Sequence, residues 1–595
     1  MDTLLKSFID WSHRNNVFIN DKIDFRADER KGMFAVVKER MLENENLIKL
    51  PKELAIGPDM IKSLFPDVKL TTESNSNNEM MVLLISKLKF DTTRIGQFFK
   101  PYLDILPKAP SLPLFWEPTI RNQLKSTDAE LKLEAILSKL LSEWYNLMTF
   151  LLKAYPHLVS KMTLSSELKY YEHLLEDTYQ SSELYEHFIQ EGSSWTSFRS
   201  YVWSYSILTS RGFPYFLVTS SMSEKDLKTP VLLPVIDLLN HRNNFKIKYL
   251  SVNETREENV IFKLDENVAE NQELFNNYGD KPNVDLLLNY GFAVEGNEYD
   301  ETTITFKIDE GKILEAIDFG IEFYERKQKI DDPKLLKNGI NFYLDWNTPF
   351  PLKLVDFFAF LVQMKFEKET GMTLRMKLEG LTEIRKILVM KVETFKENEL
   401  DVPNEVDEVF KYIKIYKKGQ RLIFQKSLDS LQSYEKKLLK QQKAKMISFK
   451  TILKNDEIFM KYLSTSLNVY SYEDILGKKI LDVVILLWIL RLYNLKEYPK
   501  DKFLNDKAFK SQIDVVISQF QNVKRTIDIT QEDLLEQESF LSLYFSLLPN
   551  KFSDIYGRGD WKIEDFVVAS TVADRIIYLR PINQEAFIVP TIKLS

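Results

Sequence analysis

Apolar positions recur with helical spacing over most of the chain, and with period two in a few short runs. Leu4, Leu5, Phe8, Ile9 and Trp11 fall on one side of a helix within residues 1–20. Residues 127–200 repeat that pattern on a broader stripe, clearest in AILSKLLSEWYNLMTFLLKAY. Alternation predicts strands at Phe34–Val37, Leu47–Leu50, 260–264 (VIFKL) and 302–308 (TTITFKI), and again near the C-terminus at Ile576–Leu579 and Phe587–Val589. Residues 71–79 (TTESNSNNE) form a polar loop. The prolines of 100–118 predict extended chain, since a proline ring lacks the N–H that continues a helix. From about 310 onward nearly every segment before the C-terminal strands reads as helix. The fold class is therefore α+β, with an all-helical insertion between two β-containing pieces and a mostly helical remainder.

Composition narrows the chemistry. At 595 residues the length suggests two to four domains, and a net charge of −7 argues against a chain-wide grip on nucleic acid. With no cysteine, disulfides, thiolate metal sites and cysteine nucleophiles are excluded. None of the five histidines pairs with another at a metal-binding helical spacing. The N-terminal MDTLLKSFIDWSHRNN has no basic segment leading into an apolar one, as a secretory signal has. The most apolar run, Ile480–Leu490, is eleven residues long, against the roughly 20 a bilayer span needs. The expectation is a soluble intracellular protein with no membrane association. YEKKLLKQQKAKM, 434–446, carries five lysines and one acid and reads first as a solvated helix face, second as a contact for an acidic partner.

Two stretches carry candidate chemistry. Val231–Leu239 is an apolar run that ends on the polar pair Asn240 and His241, delivering hydrogen-bonding groups to the rim of a core. Tyr278 and Tyr290 flank a leucine-rich helix start, twelve residues apart. By themselves these residues fit a turn and two core-edge aromatics equally well. Gly32 marks a place where the backbone reverses or approaches a ligand closely. YGRGD, 556–560, reads as a turn.

Four motifs in order resemble the SET-domain protein methyltransferases, in the branch typified by the Rubisco large-subunit lysine methyltransferase: DERKGMFAV (28–36), SYSILTSRGF (204–213), LLPVIDLLNH (232–241) and NNYGDKPNVDLLLNYGF (276–292). PYLDILPKAPSLPLFW (101–116) and YKKGQRLIFQKSL (416–428) support the match. The resemblance implies a thin, knotted SET β-domain over 1–310 with a helical insert at about 111–199, and a helical substrate-binding domain over 311–595. It implies S-adenosylmethionine bound by Glu29, Lys31, Gly32, Arg211, Asn240, His241 and Tyr278, with Tyr278 and Tyr290 lining the methyl-transfer channel. Arg211 would meet the cofactor's carboxylate. The chain departs from the family pattern at Arg30, where glycine is usual, and at Pro282, where serine is more frequent.

The implied reaction is methylation of a lysine on a protein: a ribosomal protein, an elongation factor or cytochrome c, with the negative net charge favouring a basic substrate. A cytoplasmic monomer is expected, the nucleus being the alternative compartment. Two other readings are a catalytically silent SET-like scaffold and a protein-histidine methyltransferase. Methyl transfer from a sulfonium needs alignment, and oxygen or aromatic electron density around the cationic groups. A free lysine amine with a pKa of about 10.4 lies some 3.4 units from neutrality at pH 7, or about 4.6 kcal/mol. A tyrosine near 10 is a poor base for that proton. Desolvation and like charge lower the amine pKa instead, and Tyr290 is expected to position rather than to deprotonate.

Overall fold

The computed structural model describes residues 2–28, 32–66, 77–159, 161–176, 194–219, 229–254, 257–325, 328–330, 336, 339–368, 370–397, 408–494, 501–544, 555–556 and 561–589. Glu29, Arg30 and Lys31, most of the 71–79 loop and most of YGRGD lie outside them. The chain forms two compact units, one of residues 1–302 with 395–422, the other of 303–394 with 423–595.

The first unit holds the small antiparallel sheets. Phe18–Ile19, Asn46–Pro51, Glu257–Leu264 and Ile247–Glu254 form one sheet in that order. Ile23–Asp28, Gly32–Val37 and Glu273–Leu274 form another, in which Ala35 faces Leu274. Gly32 opens its strand at φ +72°, and a side chain there would touch nothing. Within the protein it is the positive φ at the reversal of the chain that requires glycine. Gly212–Pro214 pairs with Pro230–Leu232, so the ends of two of the resembling motifs lie in one ribbon.

The helices of the insert pack on one another and on helices Phe198–Arg211 and Asn283–Tyr290. Asp128–Ala154 starts at Thr127, whose side chain accepts the Glu130 N–H, and buries Leu133, Leu137, Leu140, Trp144, Leu147 and Leu151 on one stripe. Trp144, Tyr171 and Phe198 then form a ring cluster with centroids 5.0–5.4 Å apart.

Two expectations are corrected here. Helix continues past Ser200 to Arg211, in Phe198–Arg211, capped by Ser197 on the Ser200 N–H. The proline-rich stretch is not extended at its start, since helix Arg94–Ile105 runs through Pro101. Proline removes one helix hydrogen bond; burial of Phe99, Tyr102 and Ile105 on the inner face outweighs that loss. Helix Glu408–Gln441 gives its first half to this unit, where Tyr412 stands 6.3 Å from Phe292 and Gln420 Nε2 donates to the Glu301 carbonyl at 2.8 Å.

In the second unit, strand Ile340–Asp345 pairs with Glu301–Phe306 and alternates buried and half-buried positions, a strand the helical reading of this region missed. The expected C-terminal strands are Ile577–Arg580 and Glu585–Ile588, joined by Ile447–Ser448. The apolar run lies in helix Leu481–Tyr493 and is largely buried. In the basic stretch Lys436, Lys437, Lys440, Lys443 and Lys445 are exposed, while its acid, Glu435, is fully buried beside Arg385, Tyr578 and Arg580. Among the described residues no helix is long and apolar enough to cross a membrane.

Candidate active site

A cavity of about 470 Å³ in the first unit is lined by Arg211, Phe213, Asp237, Tyr249, Tyr278 and Tyr290, among others. Each side chain arrives from a different local device. Helix Phe198–Arg211 ends on Arg211. Val235, buried at φ +74°, is a strained turn for a β-branched residue and rotates the apolar run so that Asp237 points inward. Tyr290 is the last residue of helix Asn283–Tyr290, which closes on Gly291 at φ +81°. A Cβ at Gly291 would lie 2.0 Å from the Ser111 carbonyl oxygen, so only glycine fits.

The two main motifs run side by side. His241 and Asn276 form a parallel bridge in which Asn276 N–H donates to the Asn240 carbonyl at 2.7 Å and Arg242 N–H to the Asn276 carbonyl at 3.0 Å. Three rings stack in consequence. His241 lies 5.0 Å from Tyr278 and Tyr278 lies 4.7 Å from Tyr290, with planes within 26° of parallel. The Tyr278 N–H donates to His241 Nδ1 at 3.0 Å, so that nitrogen bears no proton. The proton is on Nε2, which donates to Asn243 Oδ1 at 2.6 Å. Burial, with Lys281 nearby, holds this imidazole below its ordinary pKa, in keeping with a neutral ring.

Charges are arranged around one buried carboxylate. Arg211 Nη1 donates to the Asp237 carbonyl at 2.8 Å and stands 3.4 Å from Asp237 Oδ2, which also accepts the Tyr102 hydroxyl at 2.7 Å. The other oxygen, Oδ1, is buried without a partner among the described residues. Burial pushes the Asp237 carboxyl up, against the pull of Arg211. The Asp237 side chain is wholly buried behind the cavity, where it holds Arg211 and Tyr102 in place. Burial also raises both tyrosines, Tyr278 well above its ordinary range and Tyr290, with Asp285 adding to the effect, up to about 12.

Sequence comparisons then decide the family. The EFM1 middle domain matches residues 301–442. Over 601 residues the chain is 31% identical to the Saccharomyces cerevisiae protein-lysine N-methyltransferase EFM1, covering 98% of this chain and 97% of that one. The chain belongs to the SET-domain protein-lysine N-methyltransferases. Ribosomal lysine N-methyltransferase 1 of the same yeast is 27% identical, with 91% of this chain and 93% of that one covered. Rubisco LSMT, solved bound to sinefungin and monomethyllysine, shares the fold with a TM-score of 0.50 at 15% identity, over 73% of this chain and 93% of that one. The α+β SET architecture expected from the sequence is thus the observed one.

Within this SET domain the predicted residues divide into two groups. Arg211, Tyr278 and Tyr290 line the cavity. His241 stands behind Tyr278, and Asn240 turns its side chain to Glu273 Oε1 at 2.9 Å. Gly32 opens the strand that pairs with Glu273–Leu274, while Glu29 and Lys31 lie outside the described residues. Sequence reasoning missed Asp237, Tyr102 and Tyr249. The lone acid within the apolar run 231–239 was the available signal for Asp237. Tyr102 and Tyr249 offer no local signal.

Proposed function

We propose that this protein transfers the methyl group of S-adenosylmethionine to a lysine side chain of a basic protein substrate. The observation that carries the reading is the placing of the Tyr278–Tyr290 stack, Arg211 and Tyr249 on the wall of one cavity. Its volume, about 470 Å³, lies within the roughly 300–1,000 Å³ of pockets that take a small organic ligand. Arg211 suits a carboxylate, and the faces of Phe213, Tyr249, Tyr278 and Tyr290 a sulfonium or adenine ring. Asn240 and His241 act from behind this wall, fixing the backbone that the cofactor meets, and Gly32 sets the neighbouring strand.

S-adenosylmethionine, when bound, supplies a methyl group on a positively charged sulfur that a neutral amine takes directly. The chain's part is to orient and desolvate. Tyr278 commits its hydroxyl to the Leu239 carbonyl at 2.8 Å and so offers a fixed ring face. With Tyr290 held near 12, only about one molecule in 100,000 carries the phenolate at pH 7, so Tyr290 positions the amine and does not deprotonate it.

A ribosomal protein is the favoured substrate. The net charge of −7 suits a basic partner, and a relative aligned over most of the chain is named a ribosomal lysine N-methyltransferase. That substrate fits a monomeric enzyme working in the cytoplasm.

The test is methyl transfer from radiolabelled S-adenosylmethionine to purified ribosomal proteins, with mass spectrometry of the labelled peptide. Label on a lysine is expected. Label on histidine, or none despite cofactor binding by thermal shift, would overturn the reading.

A further inference from the structure

The loop that follows Tyr278 leads through Lys281 and Pro282 into helix Asn283–Tyr290, and its lysine is not among the residues that line the cavity. Lys281 is half-buried, and its Nζ lies 5.8 Å from the centroid of the Tyr290 ring. Its backbone is held from two sides. The Lys281 carbonyl accepts Asn297 Nδ2 at 2.8 Å, and Pro282, buried, starts helix Asn283–Tyr290. Asn297 in turn accepts Asn243 Nδ2 at 3.0 Å, and Asn243 is the residue that holds His241. The cation and the three stacked rings thus belong to one hydrogen-bonded frame.

The other charges around Tyr290 are engaged elsewhere. Asp285 is 3.5 Å from Lys132 of helix Asp128–Ala154, and Asp237 is paired with Arg211. Asp280 lies against Tyr299, and Glu408 against Tyr412, beyond Phe292. Among the described residues no carboxylate lies within ion-pair distance of Lys281. Its charge therefore stands without an ion-pair partner among the described residues 5.8 Å from the Tyr290 ring, and it helps to hold the His241 imidazole below its ordinary pKa.

Resting on the lysine-transfer reading above, we propose that Lys281 is a fixed positive charge that repels the incoming lysine ammonium and so favours its neutral, nucleophilic amine. The proton leaves to solvent as the side chain enters. Lys281 touches no reacting atom in this account; it acts through the field at the Tyr290 face. A like charge at this range lowers an amine by about one pK unit, which raises the neutral fraction about tenfold at a pH below that pKa.

The experiment uses the full chain with sinefungin and N-monomethyl-lysine carrying a ¹³C methyl group, whose chemical shift reports ionisation of the bound amine. The bound amine in Lys281→Met is expected to titrate about one unit higher than in the unsubstituted protein, and Lys281→Arg to titrate with the unsubstituted protein. Lys281→Gln makes the same comparison should the methionine variant not fold. Equal pKa values in the neutral variant and the unsubstituted protein, or an arginine variant that behaves like the neutral one, overturn the inference while leaving lysine transfer standing. Failure of the unsubstituted protein to bind monomethyl-lysine at all overturns lysine transfer and this inference together.

Discussion

The rings of Tyr278 and Tyr290 face each other at 4.7 Å and 24° from parallel, although each is held by a different part of the chain. Tyr278 is pinned through its backbone to His241 and through its hydroxyl to the Leu239 carbonyl. Tyr290 is set by the last turn of a helix that only Gly291 can close. The hydroxyl of one ring is structural. Among the described residues nothing hydrogen-bonds the other, so under the proposed lysine transfer the Tyr290 hydroxyl is free to meet the amine.

Tyr290→Phe keeps the stack and removes that hydroxyl. Turnover should fall about 100-fold or more, the cost of deleting one preorganised polar contact at a reacting centre, while calorimetry finds the cofactor affinity within about twofold of the unsubstituted protein. Parallel loss of both would assign Tyr290 to the cofactor instead. Tyr278→Phe should instead lower stability by about 1 kcal/mol, since it loses the hydrogen bond to the Leu239 carbonyl.

Asn240→Ala tests the frame behind the cavity. Asn240 Nδ2 donates to Glu273 Oε1 at 2.9 Å, and Glu273 sits on the strand paired with Gly32–Val37. In the proposed reading this backbone meets the cofactor, so removing the amide releases a carboxylate beside it, and a loss of about 1.4 kcal/mol, or tenfold in affinity, is expected by calorimetry. Unchanged affinity would make Asn240 purely a backbone residue.

His241 ties stability to pH. Its folded-state pKa lies below the ordinary value of 6.5, so below that pH the unfolded chain takes up a proton that the folded ring refuses. Stability should therefore decline as pH falls from about 7 to 5, each unit of depression being worth about 1.4 kcal/mol. His241→Asn keeps an acceptor close to the Nδ1 position and does not titrate. Its melting temperature should drop less steeply over the same range; an equally steep drop would clear His241 of the effect.

The parts of the site that could be read in advance are those written contiguously. Apolar runs that end on polar groups in 231–241 and 276–292 made Asn240, His241, Tyr278 and Tyr290 stand out, whereas Arg211 was marked only by the resemblance of 204–213 to a family motif. The bond from Tyr102 to Asp237 spans 135 positions and joins a helix that the prolines concealed to a turn that Val235 strains. Helical period in 408–441 was legible, but not that its first half packs with the N-terminal unit, because periodicity states which face is apolar and not what covers it. Strand Ile340–Asp345 alternates correctly and was hidden only by the helices around it.

Glu435 offers the same lesson as a measurement. It lies in the most basic stretch of the chain, where five lysines are exposed, yet its carboxylate is fully buried. Arg385 Nη2 donates to Oε2 at 3.0 Å, the Tyr578 hydroxyl to Oε1 at 2.7 Å, and Arg580 stands 3.6 Å away. One acid thus gathers a helix, a long helix and a C-terminal strand of the second unit. Glu435→Ala removes the carboxylate that Arg385 and Arg580 share, and breaking a buried pair from one side costs about 3–5 kcal/mol. Denaturant unfolding should show that loss, whereas alanine at exposed Lys436 or Lys437 should change stability by less than about 0.5 kcal/mol. A Glu435→Ala protein as stable as the parent would mean that the lysine-rich face, and not its buried acid, is what this segment is for.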